Sequence, residues 1–187
     1  MAAMATTVRP WTGGRPLRDA YGDFIWRRPG LFRRELILEA GSEQLARLTW
    51  DKWYSFDATA DSADGRWLMR RRRSISLGRG CIVEEVKTGT EVATFRRNWR
   101  GTGEVRFASG VQYAWKSEGF WRTTHFWLDA SGTRLVVMRP LLGFGGRTYE
   151  MRVEPAARTL AELPVLVLLG GYVMALRSSQ KDRKSVV

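Results

Sequence analysis

The chain has 187 residues, 44% hydrophobic and 12% aromatic with nine tryptophans, which excludes a disordered polypeptide and suits one domain with a sizeable core. Lys and Arg outnumber Asp and Glu 31 to 19, a formal charge of +12, so polyanions (nucleic acid, acidic proteins, anionic lipid headgroups) are the partners that charge favours, although high charge also serves solubility alone. One cysteine, Cys81, and one histidine, His125, exclude an intramolecular disulfide and any metal site needing two Cys or His ligands, and no cofactor motif is present.

Residues 1–20 are rich in Gly, Pro, Ala, Thr and Arg, carry no apolar periodicity and show no apolar core of a secretory signal. They are expected to form a flexible N-terminal segment of a cytoplasmic protein. From about Asp23 the texture changes to short apolar and aromatic segments. The clearest are LFRRELILE, QLARLT, KWYSFD (52–57), RWLMRR, CIVEEVK, EVATFR, EVRFA, VQYAWK, RTTHFWL, RLVVM and TYEMRV. Turn signals such as KTGTE, ASG and DASGT separate several of them. Val111, Tyr113 and Trp115 alternate with Gln112, Ala114 and Lys116, and Tyr149, Met151 and Val153 with Thr148, Glu150 and Arg152. A period of two marks strands with one buried face. About a dozen such strands in meander order predict a mainly β protein, either two sheets or a closed antiparallel barrel.

The segment LPVLVLLGGYVMAL, Leu163 to Leu176, breaks this rhythm. Thr159 and Glu162 of TLAE match a helix capping box, and Pro164 offers an alternative start. Val165 to Leu169 are all apolar and cover every face of a helix, which must then be enclosed by protein or lipid. As a helix the segment spans about 21 Å, short of the roughly 30 Å hydrocarbon core of a bilayer. A buried core helix is therefore expected. The alternative is a short membrane anchor, supported by the basic flank Arg177, Lys181, Arg183 and Lys184. A barrel of about twelve strands has a lumen too wide for its own side chains, and a threaded apolar helix would fill it. The expected organisation is a barrel over 21–177 with a central helix over about 160–177 and a basic tail over 178–187.

Three stretches together, YAWKSEGFWRTTHFWLDASGTRLVVMRP (113–140), RTYEMRVEP and LAELPVLVLLGGYVMAL, resemble the tubby C-terminal-domain superfamily. That group includes the tubby-like proteins, the LURP-one-related proteins and the phospholipid scramblases. The resemblance covers about Asp23 to Leu176 and implies a closed barrel around a central helix in a protein that is not an enzyme. It further implies contact with membranes, since tubby-like domains bind phosphoinositide headgroups through basic surface residues and scramblases act at membranes. Neither the lipid-binding Lys/Arg pair of tubby nor a calcium-binding run of acids beside the terminal helix is matched here.

Catalytic signals are sparse. Cys81 and His125 form a nucleophile–base pair on paper, but both lie in strand-like segments with no third member, which favours a buried thiol and a sheet-face histidine. Glu84 and Glu85 are adjacent and should point to opposite faces. The Gly-rich pieces at 78–80, 101–103 and 143–146 lack the Lys-Ser/Thr ending and following helix of a phosphate loop, and read as hairpin turns. The basic clusters speak more clearly: Arg70, Arg71, Arg72 and Arg73, then Arg96, Arg97 and Arg100 around Trp99. Since strand neighbours alternate sides, the run Arg70–Arg73 is expected at a strand end or loop where all four reach solvent and chelate phosphate oxygens. The expected function is a binding module for anionic phospholipid headgroups or phosphate groups, peripheral at the inner membrane face. Trp99 among arginines also fits single-stranded nucleic acid, and a basic scaffold meeting a protein partner is the third possibility.

Overall fold

The computed structural model describes residues 11, 13–30, 34–51, 56–72, 79–98, 101–119, 123–141 and 148–184, with the backbone alone for 72, 79 and 177–184. Among them, segments that alternate inward apolar with outward polar side chains become twelve strands, each antiparallel to the next. In chain order these are β1 (Asp23–Arg27), β2 (Glu35–Ala40), β3 (Glu43–Thr49), β4 (Ala58–Ser62), β5 (Gly65–Arg72) and β6 (Arg79–Glu85). Then come β7 (Thr90–Arg97), β8 (Gly103–Phe107), β9 (Gln112–Glu118), β10 (Thr124–Leu128), β11 (Arg134–Leu141) and β12 (Thr148–Val153). β1 also pairs with β12, setting Trp26 opposite Tyr149, so the sheet closes into a barrel and leaves no edge exposed. Bulges at Leu38/Glu39, Val83/Glu84 and Trp127/Leu128 recur at every fourth strand, all near the same end.

Helix α1 (Leu163–Lys184) runs through the lumen, and every residue from Leu163 to Met174 is buried. Its apolar perimeter is therefore met by protein on all sides, which resolves the choice between core and lipid in favour of the core. No helix among the described residues is long and apolar enough to cross a membrane. The Trp127 indole N–H donates to the Leu166 carbonyl at 2.9 Å, and the Tyr149 hydroxyl to the Met174 carbonyl at 3.2 Å. These bonds tie the two halves of the helix to β10 and β12. At Gly171 an added Cβ would lie 2.6 Å from the Trp26 ring, so absence of a side chain is what lets wall and helix approach.

Three expectations need correction. Of the strand expected at 52–57, residues 52–55 lie outside the described set, Phe56 and Asp57 are not in a strand, and an unexpected strand follows at Ala58–Ser62. Small Ala58 and Ala60 face inward because they oppose bulky Met69 and Trp67, a pairing that packing selects and propensity hides. The helix does not begin at Leu160 on a Thr159 cap. Thr159 is exposed, the helix starts at Leu163 with Pro164 in its first turn, and the Glu162 carboxylate accepts from the Tyr113 hydroxyl at 3.2 Å instead. The helix also continues past 177, through the expected tail, to Lys184.

The N-terminal stretch is partly packed. A 3₁₀ turn, Leu17–Asp19, buries Leu17 and Ala20 in the core, and the Leu17 N–H donates to the Asp64 carboxylate at 2.7 Å.

The basic mouth of the barrel

Strand direction defines two ends. At the foot, the helix enters beside Tyr113 of β9, bonded to Glu162; at the mouth, it leaves beside Phe56, whose carbonyl accepts from the Tyr172 hydroxyl at 2.7 Å. Charge is unevenly balanced between them, although Arg18, Arg66, Lys87, Arg106, Arg134, Arg152 and Arg158 also lie at the foot. Asp23, Glu43, Asp61, Asp64, Glu85, Asp129 and Glu154 sit at foot-side strand ends or turns, many of them held in ion pairs or turn hydrogen bonds. Arg27, Arg34, Arg71 and Arg97 sit at mouth-side ends, with Arg70, Arg96 and Arg139 one or two residues back. The described acids near the mouth are fewer: Glu35, Asp51, Asp57, Glu104, Glu118 and, opposite Arg139, Glu150.

The two arginine clusters expected to bind anions converge there, because β5 and β7 both end at the mouth with β6 between them. They do not present one face. β5 stays in register with β6 through Arg72 opposite Gly80, so side-chain alternation holds between Arg70 and Arg71. Arg70 points outward and meets Glu84 at 3.4 Å. Arg71 points inward on the same side as buried Trp67 and Met69, and its guanidinium lies 4.2 Å over the Phe56 ring. Its backbone N–H donates to the Asp57 carboxylate at 3.2 Å. On β7, Arg96 is exposed, whereas Arg97 is half-buried on the inward side with Ala93 and Phe95. Arg73, Trp99 and Arg100 lie outside the described residues, as does the side chain of Arg72.

The inward pair, Arg71 and Arg97, borders a cavity of about 40 Å³. Its remaining wall is Phe56, Gly80, Cys81, Phe95, Tyr172, Val173 and Leu176. Cys81, Phe95, Tyr172 and Val173 are buried, while Phe56, Gly80 and Leu176 are half-buried, so the cavity opens toward the mouth. Its apolar part was not legible as a site in the sequence. Tyr172, Val173 and Leu176 looked like any other core residues of the helix, and only the topology sets them against two arginines. Burial pushes the Cys81 thiol up to about 12, and it donates weakly to the Ile82 carbonyl at 3.4 Å, so it is a neutral wall group and not a nucleophile at neutral pH. Burial also raises Tyr172 well above the ordinary phenol range.

Cys81 on β6 and His125 on β10 are separated by β7, β8 and β9. His125 is buried and stacks on Trp115 with centroids 5.5 Å apart. Glu84 and Glu85 follow the bulge; Glu84 meets Arg70, and Glu85 accepts from the Thr88 hydroxyl at 2.8 Å. Of the Gly-rich pieces, 101–103 forms a hairpin connection with Gly101 at φ 88°, Gly80 belongs to β6, and 143–146 lies outside the described residues. A second cleft of about 110 Å³, on the outer face of β11 and β12, sets Arg134, Arg139 and Arg152 among Glu150 and Glu154. Mixed signs there cancel much of the field that an anion would feel.

Comparison of the chain with protein-family models, with curated proteins and with solved structures finds no match in any of the three.

Proposed function

We propose that this protein is a non-enzymatic binding module that contacts anionic phospholipid headgroups or other phosphate groups with the mouth of its barrel. The observation that carries this reading is the uneven balance of charge along the barrel axis: among the described residues arginines outnumber acids at the end where the helix leaves, whereas at the end where it enters acids are the more numerous and several pair with the arginines there. A basic end on an otherwise balanced molecule orients it against an anionic surface, and each arginine near such a surface contributes about 1 kcal/mol. The outward pair Arg70 and Arg96 supplies surface contact. The likeness to tubby-type barrels, with their phosphoinositide ligands, belongs to this same reading and rests on pattern.

The test is co-sedimentation with vesicles. Wild type is expected to bind vesicles containing an anionic lipid and to release them as salt rises, since the Debye length falls to about 10 Å at 0.1 M. Changing Arg70 and Arg96 together to Gln should weaken binding about thirtyfold, in line with about 1 kcal/mol for each. Changing Lys87 and Arg106, which lie toward the foot, should leave it unchanged. Equal binding to neutral vesicles, or equal loss in both double variants, defeats the proposal.

A further inference from the structure

We infer that the cavity at the mouth is a binding site for the anionic group and first carbons of a phosphomonoester amphiphile, with Arg71 and Arg97 on the oxygens and Tyr172, Val173 and Leu176 against the carbons. The inference rests on the reading above and sharpens it, from a surface that attracts anions to a site that holds one molecule.

Two independent features point to such a ligand. The first is what surrounds the cavity. β5 and β7 each turn one arginine outward and the next inward, and among the described side chains Arg71 and Arg97 are the arginines that line it. An Arg71 guanidinium stacked on Phe56, with Arg97 beside it on the border of a largely apolar wall, is poorly placed for a flat surface and well placed for a ligand with an anionic head and an apolar stem. Arg71 is already held by stacking on Phe56, so little side-chain freedom remains to be lost when it takes up an oxygen. The second feature is size. A volume of about 40 Å³ holds about three waters, hence two or three carbons of an alkyl stem, and not a whole acyl chain. The site therefore reads the junction between head and stem, with the rest of the chain left outside.

Hexyl phosphate, which stays monomeric at useful concentrations, is the probe, with inorganic phosphate and hexanol as its two halves, each titrated calorimetrically into the full-length protein. Hexyl phosphate should bind one per chain and about tenfold more tightly than inorganic phosphate, as two or three partly buried methylenes at about 0.8 kcal/mol each imply. Hexanol should not bind measurably. Leu176→Trp, a half-buried position that tolerates bulk, should fill the cavity and erase the preference for hexyl phosphate, while Arg97→Gln should weaken both phosphates alike. Thermal melts and near-ultraviolet circular dichroism establish that each variant is folded. Competition by vesicles carrying phosphatidic acid would identify a bilayer lipid as the source of the headgroup, and its absence a free amphiphile. Equal affinity for hexyl phosphate and inorganic phosphate, or an unchanged preference in Leu176→Trp, overturns the site. Wild type that binds anionic vesicles yet shows no such preference overturns only the site, whereas the reverse result overturns only the surface reading.

Discussion

Strand parity decides what each arginine does at the residue scale, and the same neighbours decide where protons sit. Burial, above all, holds the Cys81 thiol protonated up to about 12, against an ordinary value of 9.0. Burial and then the Glu162 carboxylate carry Tyr113 from 10.0 to about 12. Both groups stay neutral in the fold after their unfolded counterparts have ionised. Above the unfolded values the unfolded chain has lost more protons than the folded one, so stability must fall as pH rises. The effect is absent below about pH 9 and grows toward pH 12, at no more than about 1.4 kcal/mol per unit for each group. The urea midpoint should thus be level from neutral pH to about 9 and decline beyond it. Cys81→Ala should flatten the early part of that decline, between about 9 and 10, where Tyr113 does not yet contribute. A decline that starts below pH 8, or one that Cys81→Ala leaves untouched, contradicts this assignment.

At the scale of elements, the determining contact is helix against wall. The two glycines of α1 differ in what they touch. A Cβ on Gly170 would meet the flexible end of the Met138 side chain, which can swing aside, and Ala gains about 1 kcal/mol of helix propensity over Gly. A Cβ on Gly171 would meet the rigid Trp26 indole at 2.6 Å, and Trp26 is fixed on β1 between β12 and β2. Gly171→Ala should therefore cost about 1–3 kcal/mol as overpacking, while Gly170→Ala stays within about 1 kcal/mol of wild type. Denaturant midpoints compare the two directly; equal losses would mean that the helix shifts as a rigid rod. Sequence reading found this helix because a run such as Val165–Leu169 has no exposed face to offer. Of the two starts it offered, the one at Pro164 holds and the Thr159 cap does not, because Thr159 and Glu162 make a convincing cap only if Glu162 is free, and tertiary structure gives that carboxylate to Tyr113. β4 escaped notice for a related reason: Ala-Thr-Ala-Asp-Ser is a strand only opposite the bulk of Met69 and Trp67.

For the molecule as a whole, closure and polarity come from the same arrangement. The arginines of the candidate site were legible in the sequence and its apolar half was not, because Arg71 and Arg97 are brought beside Tyr172 and Leu176 only when β1 meets β12 and the helix is enclosed. The helix is thus both the filling of the barrel and, past Leu176, an extension of its basic end. Two truncations separate these roles. A chain ending after Glu162 loses every residue that fills the lumen and leaves Trp26, Trp127 and Met138 without the partners that bury them. It should yield no cooperative thermal transition. A chain ending after Leu176 keeps all the buried residues of α1 but removes Arg177, Lys181, Arg183 and Lys184 against a single acid, Asp182. Its melting should be as cooperative as that of the full chain, while its affinity for anionic vesicles at low salt drops by tenfold or more, since each net charge near the surface is worth about 1 kcal/mol. Its affinity for hexyl phosphate should change much less, because the cavity wall ends at Leu176. If the shorter truncation folded with full cooperativity, the helix would not be the core of this barrel. If the longer one bound vesicles as tightly as the full chain, the mouth would not be the surface that meets them.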